Sequence, residues 1–349
     1  MQDSSDPNAS ADGFRAPTGR RRFLTNAGRA VGLVALGGAW PAWRLITRNE
    51  AAAPLRRSGW AMGTSVNLSL PDGPMADNAA RAAFSSLTRI QDLLSAHEAS
   101  SELGRLNAAS GEPVPVGYDF RAVAEAALRF ADLTDGAMDV TVLPALRAYG
   151  FMPGTADASF RDRIGASHLH LSAEAAHLDA GGYGVDFGGI AKGYGVDRAI
   201  EAMKAAGVAS AIVDAGGDLF AAGRPQADRL WRVGIRDPHH TDRIFAKFDI
   251  EDEAVATSGT YLQKRIVDGR EISHLIDPRT GNSVNHVISA TVIAPDAMTA
   301  DALATAACVL PTDQCRSLFD SLPGIEALWV SPDGQVTMTE GMRRRVELV

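Results

Sequence analysis

Three stretches of this chain carry residue types that could act together on a phosphate. The first is Asp186-Phe-Gly-Gly-Ile-Ala-Lys-Gly-Tyr-Gly-Val-Asp197, which opens a helical pattern in which Val196, Ile200 and Met203 recur at helix spacing. A glycine turn lets backbone amides approach an anion, and a helix N-terminus adds partial positive charge. A phosphate would therefore fit beside Gly188 and Gly189 with Lys192 over it. The pattern is neither Gly-x-Gly-x-x-Gly nor the phosphate loop ending in Gly-Lys-Ser/Thr, and a double glycine before a helix serves close backbone packing equally well.

The second stretch is Thr299-Ala-Asp-Ala-Leu-Ala-Thr305, where Asp301 and Thr305 stand four apart and so share one helix face. A carboxylate and a hydroxyl are hard oxygen ligands, and with phosphate and water they suffice for Mg²⁺. The same spacing also suits an acid that caps or ion-pairs near a helix start and a threonine bonded back to a carbonyl. The third is His274, ahead of the turn residues Asp277-Pro-Arg-Thr-Gly281, which fix the end of a strand bearing the histidine. An imidazole held there could accept a proton from an attacking hydroxyl at neutral pH, or simply pack at a strand end. His168 and His170 could share a strand face, and His239-His240 adjoin a proline turn. No third ligand at a recognisable spacing completes a zinc site, so these are expected to be structural or solvent-exposed. There is no Gly-x-Ser-x-Gly, and Thr257-Ser258-Gly259-Thr260 reads as a strand end.

Positioning these groups falls to the following elements. Thr64–Leu70 alternates like a strand after the turn Met62-Gly63, and 77–97 and 120–133 read as amphipathic helices, the latter stopping at Thr134-Asp135-Gly136. Residues 147–165 read as loop, and 168–179 as two short strands. Tyr183–Val185 reads as a strand leading into the glycine turn. Ala209–Val213 is a buried-type strand ending in Asp214-Ala-Gly-Gly-Asp218. Short strands follow between 230 and 255, then a strand over 287–294 and a helix over 299–310. Paired strands with separate helices, without steady alternation, predict an α+β fold over a doubly wound one.

The 349 residues are 46% hydrophobic and 22% charged, a globular composition. The first fifty differ: Arg20-Arg21-Arg22-Phe23-Leu24 precedes a glycine-broken apolar run from Ala30 to Trp40, which matches a twin-arginine export signal. This predicts a signal and linker over 1–50, a folded domain over 51–349, and a periplasmic location, with an uncleaved anchor left open. Residues 1–50 hold seven arginines and four acids, so the remainder carries 27 basic and 38 acidic side chains, net −11. That balance argues against nucleic acid as a partner and requires any anion to be held by local geometry and a cation. Cys308 and Cys315 are expected to be buried free thiols.

Nine motifs in order resemble the ApbE family of FAD:protein FMN transferases. They are Met62-Gly63-Thr64, Ser101 to Asn107, Gly136 to Pro144, Asp186 to Asp197, Gly216-Gly217, Trp231 to Pro238, Thr257-Ser258-Gly259 with Tyr261, His274 to Gly281, and Ala300 to Thr305. The resemblance spans about residues 58–340. It implies a T-fold-related α+β architecture with two lobes around a central FAD site. It also implies Mg²⁺-dependent transfer of FMN from FAD to a threonine or serine hydroxyl of a target protein, leaving AMP. By position, Met62, Ala137, Met138, Asp139, Asp186, Lys192 and Ile276 would contact FAD. The carbonyl of Gly189, with Asp301 and Thr305, would hold the metal, and His274 would be the base.

Two positions depart from the family pattern. His97 stands where a tyrosine often flanks the flavin, and some relatives with another residue there hydrolyse FAD to FMN and AMP. Thr260 replaces an Asp or Asn. Family targets carry an Asp/Ser-Gly-Ala-Thr type sequence that this chain does not reproduce, which implies that the acceptor is another protein. With its export signal the chain is similar to the NosX type, accessory to nitrous-oxide reduction, whose acceptor is a NosR-like membrane protein with a periplasmic flavin domain. The rival readings are a pyrophosphatase that splits FAD, and a carrier that delivers flavin without chemistry; the latter would have no use for a metal at the phosphates.

Overall fold

The apolar strands assemble into one antiparallel sheet of eight, running edge to edge Leu55–Ala61, Thr64–Leu70, Ala211–Ala215, Asp218–Ala222, Glu253–Gly259, Ser289–Ala294, Glu326–Val330 and Val336–Met338. The structure, a computed structural model, describes residues 54–155 and 159–349; the twin-arginine stretch lies outside them. The central strands are buried along their whole length because both faces of the sheet are covered. Along each strand the side chains alternate between two cores. Ala211, Val213, Ala254, Ala256, Val292 and Trp329 face the helices. Ile212, Leu219, Val255, Ile293 and Leu328 face a smaller sheet made of Trp231–Arg236, Ile244–Ile250 and Glu347–Leu348.

The helices are α1 (Ala76–Leu94), α2 (Glu102–Ala108), α3 (Tyr118–Leu133), α4 (Leu143–Ala148), α5 (Ala191–Ala205) and α6 (Ala297–Val309), then two short ones, Thr312–Asp320 and Glu340–Arg345. In α1 the residues Ala76, Ala79, Ala80, Ala83, Leu87, Ile90 and Leu94 form one buried stripe against the core, as their spacing predicts. Helix α6 is alanine-rich on every side and is buried nearly throughout, sandwiched between the sheet and α5. None of the described helices is long and apolar enough to cross a membrane.

The α+β expectation holds, and most expected elements lie within a few residues of their predicted bounds. Two differ. The 147–165 stretch contains a 3₁₀ turn at Phe160–Arg163, closed over a small apolar cluster of Ala145, Leu146, Phe160 and Ile276. Tyr183–Val185 forms no strand and joins no sheet. The backbone of Val185 is satisfied by one side chain: its N–H donates to Asn107 Oδ1 at 2.7 Å, and Asn107 Nδ2 donates to its carbonyl at 2.8 Å. An amide side chain has replaced the neighbouring strand that the apolar run implied. Cys308 and Cys315 are buried free thiols.

Candidate active site

The glycine turn and the two neighbouring helices meet at Lys192. Gly193 sits in the first turn of α5, where a Cβ would lie 2.1 Å from the Ala297 carbonyl oxygen. Only glycine lets α6 start this close. Its start is fixed twice: Asp296 caps it through Thr299 N–H at 2.7 Å, and Asp197 of α5 accepts from Ala297 and Met298 N–H at 2.8 and 2.9 Å. One turn on, Asp301 points back at α5. Its Oδ2 accepts from Gly193 N–H at 3.0 Å, and its two oxygens lie 3.3 and 3.4 Å from Lys192 Nζ.

Lys192 also pairs with Asp218, which follows the Gly216-Gly217 hairpin and is almost wholly buried. Burial works against the ammonium, yet Asp218 and Asp301 together raise it above the ordinary lysine value. Burial and the Asp218 charge push the Asp301 carboxyl up to about 7 against the pull of Lys192. Two carboxylates thus share one cation, which leaves room for further positive charge. Thr305 lies one turn beyond Asp301, its Oγ1 3.3 Å from Ser258 Oγ. A Cβ on Gly189 would meet that Thr305 oxygen at 2.9 Å, so the backbone of Gly189 sits directly against it. The donor set is a buried carboxylate and hydroxyls beside an exposed backbone turn, which fits a hard divalent cation and suits no soft one.

Other predicted residues surround this cluster. Met62 forms the hairpin turn with Gly63, both at positive φ (54° and 69°), and its N–H donates to Gln91 Oε1 at 2.6 Å. Its thioether end reaches α5 at Gly195. Asp186 Oδ1 accepts from Gly188 N–H at 2.8 Å; burial raises its carboxyl above the usual range, against the charges of nearby His97 and Lys192. His97 is exposed just past α1. His274 Nδ1 faces the Gln263 carbonyl at 3.4 Å, and Phe151 meets the ring edge-on. Burial pushes the imidazole down to about 4, with Lys192 adding to the effect, so it is neutral at pH 7.

Some predicted side chains are engaged elsewhere. The Asp139 carboxylate caps its own turn through Thr141 N–H and Oγ1 at 2.8 and 2.7 Å, and Ile276 packs into the cluster with Phe160. Ala137 and Met138 are buried in the main core, with Met138 N–H donating to Thr134 Oγ1 at 2.9 Å. The turn holding Ala137 to Asp139 approaches the one after Ile276: a Cβ on Gly136 would lie 3.6 Å from Arg279 Cγ. Thr260 is pinned to the Val287 carbonyl at 3.3 Å. Sequence reasoning did not single out Asp218 or Ser258. The signal for Asp218 was a carboxylate closing a glycine hairpin between two buried strands whose other residues, Asp214 apart, are apolar.

The same fold recurs in known proteins. The sequence model of the ApbE family matches residues 62–329. The chain belongs to the ApbE family. It is 33% identical over 291 residues to a protein named FAD:protein FMN transferase from Treponema pallidum, covering 76% of this chain and 80% of that one. A Salmonella typhimurium protein of the same name is 34% identical over 262 residues, 70% of this chain and 74% of the other. Among solved structures, the ApbE protein of Thermotoga maritima aligns with a TM-score of 0.77 at 29% identity, over 84% of this chain and 99% of that one. The flavin transferase ApbE of Vibrio cholerae aligns with a TM-score of 0.74 at 29% identity, over 83% and 98%. The antiparallel sheet with its covering helices is therefore the ApbE fold, and the Lys192 cluster lies inside the matched region.

Proposed function

We propose that this chain transfers the FMN part of FAD to a threonine or serine hydroxyl of a periplasmic protein and releases AMP, with Mg²⁺ at the pyrophosphate. The observation that carries the reading is the buried meeting of Lys192, Asp218, Asp301 and Thr305 beside the Gly188-Gly189 turn, in a chain of this family. The Gly189 carbonyl, Asp301 and Thr305 would hold Mg²⁺, which when bound neutralises charge on the phosphoryl oxygens. Lys192 holds Asp301 in place and adds positive charge at the same point. Met62, His97, Asp186 and the turn from Ala137 to Asp139 line the flavin side; Ile276 and Asp139 would contribute backbone there, since their side chains are engaged.

In the transfer step the acceptor oxygen bonds to the FMN-side phosphorus while the bridging bond breaks, and the bridging oxygen leaves on AMP. The hydroxyl proton goes to His274. With its Nδ1–H directed at the Gln263 carbonyl, the Nε2 lone pair is the accepting atom. Export by the twin-arginine route would place the enzyme beside a NosR-like acceptor bearing an Asp/Ser-Gly-Ala-Thr sequence. The deciding experiment incubates the mature protein with FAD, Mg²⁺ and a periplasmic flavin-domain acceptor, then measures the acceptor's intact mass. A gain of one FMN, lost with EDTA, is the expected result. Free FMN and AMP with an unmodified acceptor would replace the proposal by FAD hydrolysis and implicate the imidazole of His97; intact FAD would replace it by a carrier.

A further inference from the structure

A second cluster of ligating side chains lies outside this site, on the hairpin of Leu169–Leu171 and Ala175–Leu178. The register pairs Leu169 with Leu178 and His170 with His177, and Asp179 N–H donates to the His168 carbonyl at 3.1 Å, which extends the pairing by one step. Because strand side chains alternate, Leu169, Ala176 and Leu178 turn inward and are buried. His168, His170, His177 and Asp179 all turn to the other face. The His170 and His177 rings stack at 4.5 Å, as directly opposed cross-strand residues can. Asp179 divides its oxygens: Oδ1 lies 2.8 Å from His170 Nε2 and Oδ2 lies 2.8 Å from His168 Nδ1.

We propose that His170, His177 and Asp179 form a binding site for a divalent transition-metal ion of the Zn²⁺ or Cu²⁺ type. One ligand atom from each lies within 4.8 Å of the other two. Tetrahedral Zn²⁺ places its ligands about 3.3 Å apart, and the partial exposure of these side chains leaves room for the small rotations needed. Two imidazoles and one carboxylate select such an ion over Mg²⁺. Asp179 Oδ1 would pass from His170 to the metal, while Oδ2 keeps its bond from His168, which then orients the carboxylate as an outer partner. His168 is itself stacked on Tyr183 at 4.1 Å, so the orienting group is fixed in place. Spacing alone hid this site, because His177 and Asp179 come from the strand that faces His170. The proposal is independent of the transferase reading.

The test titrates untagged mature protein with Zn²⁺ against a colorimetric chelator, with millimolar Mg²⁺ present to occupy any hard-ion site. One equivalent should bind, and His170→Gln and His177→Gln should each weaken it by at least about tenfold, with His168→Gln weakening it less. Asp301→Ala should bind Zn²⁺ as the wild type does. Zn²⁺ should also raise the melting temperature of the wild type and not of His177→Gln, whose unliganded melting temperature controls for folding. Unchanged affinity in His177→Gln, loss of binding in Asp301→Ala, or no stoichiometric binding would each overturn the assignment.

Discussion

Asp301 is the one carboxylate in a helix that is otherwise alanine, leucine, cysteine, valine, methionine and threonine. A carboxylate buried there requires partners, and it has Lys192 and Gly193 N–H. Replacing it with alanine leaves Lys192 paired to Asp218, so Asp301→Ala should keep a cooperative thermal transition while losing at least about 100-fold in Mg²⁺-dependent turnover. Retained turnover would exclude it as a metal ligand. His274 was chosen from sequence as a base, and its surroundings set the pH behaviour. The imidazole is near 4 when folded and near its ordinary 6.5 when unfolded, so between these values the unfolded chain binds more protons. Stability from this group therefore rises with pH across that window and is lost as pH falls through it. Urea midpoints at pH 4.5 and 7 should differ more in the wild type than in His274→Gln. Turnover should show no inflection from His274 between pH 6 and 8; an inflection near 6.5 that vanishes in His274→Gln would refute the neutral imidazole.

Helix α5 shows how one element both packs and positions. Its glycine-rich start invites a phosphate-loop reading, yet two of its glycines serve contacts: Gly193 admits the backbone of α6, and Gly195 admits Leu87 and Met62. The close crossing that Gly193 permits is also what brings Asp301 to Lys192. Gly193→Ala should therefore cost about 1–3 kcal/mol in chemical denaturation and reduce turnover along with it, since α6 must retreat from α5. Full turnover with unchanged stability would mean that the crossing has slack. The helix itself was legible from Val196, Ile200 and Met203, all buried. The missing strand before it was not, because apolar periodicity reports burial without saying whether a strand or the Asn107 amide supplies the hydrogen bonds.

The molecule as a whole is an acidic chain, so the anion binding proposed for it would rest on local cations such as Lys192 and not on net charge. Its destination is proposed from the N-terminal pattern alone. Changing Arg20 and Arg21 together to lysine should leave the protein in the cytoplasm, as fractionation with immunodetection would show; normal export of that variant would remove the twin-arginine reading. Local periodicity and turn chemistry in the sequence determined the four longest helices, several strands, the α+β class and the three candidate stretches, because these depend on neighbours a few residues apart. Tertiary structure alone decided that Asp218 shares Lys192 with Asp301 and that Ser258 faces Thr305. It likewise decided that His177 and Asp179 lie opposite His168 and His170. Each of these meetings depends on sheet register or on the distance between two helix axes, and neither is written in the spacing of a single segment.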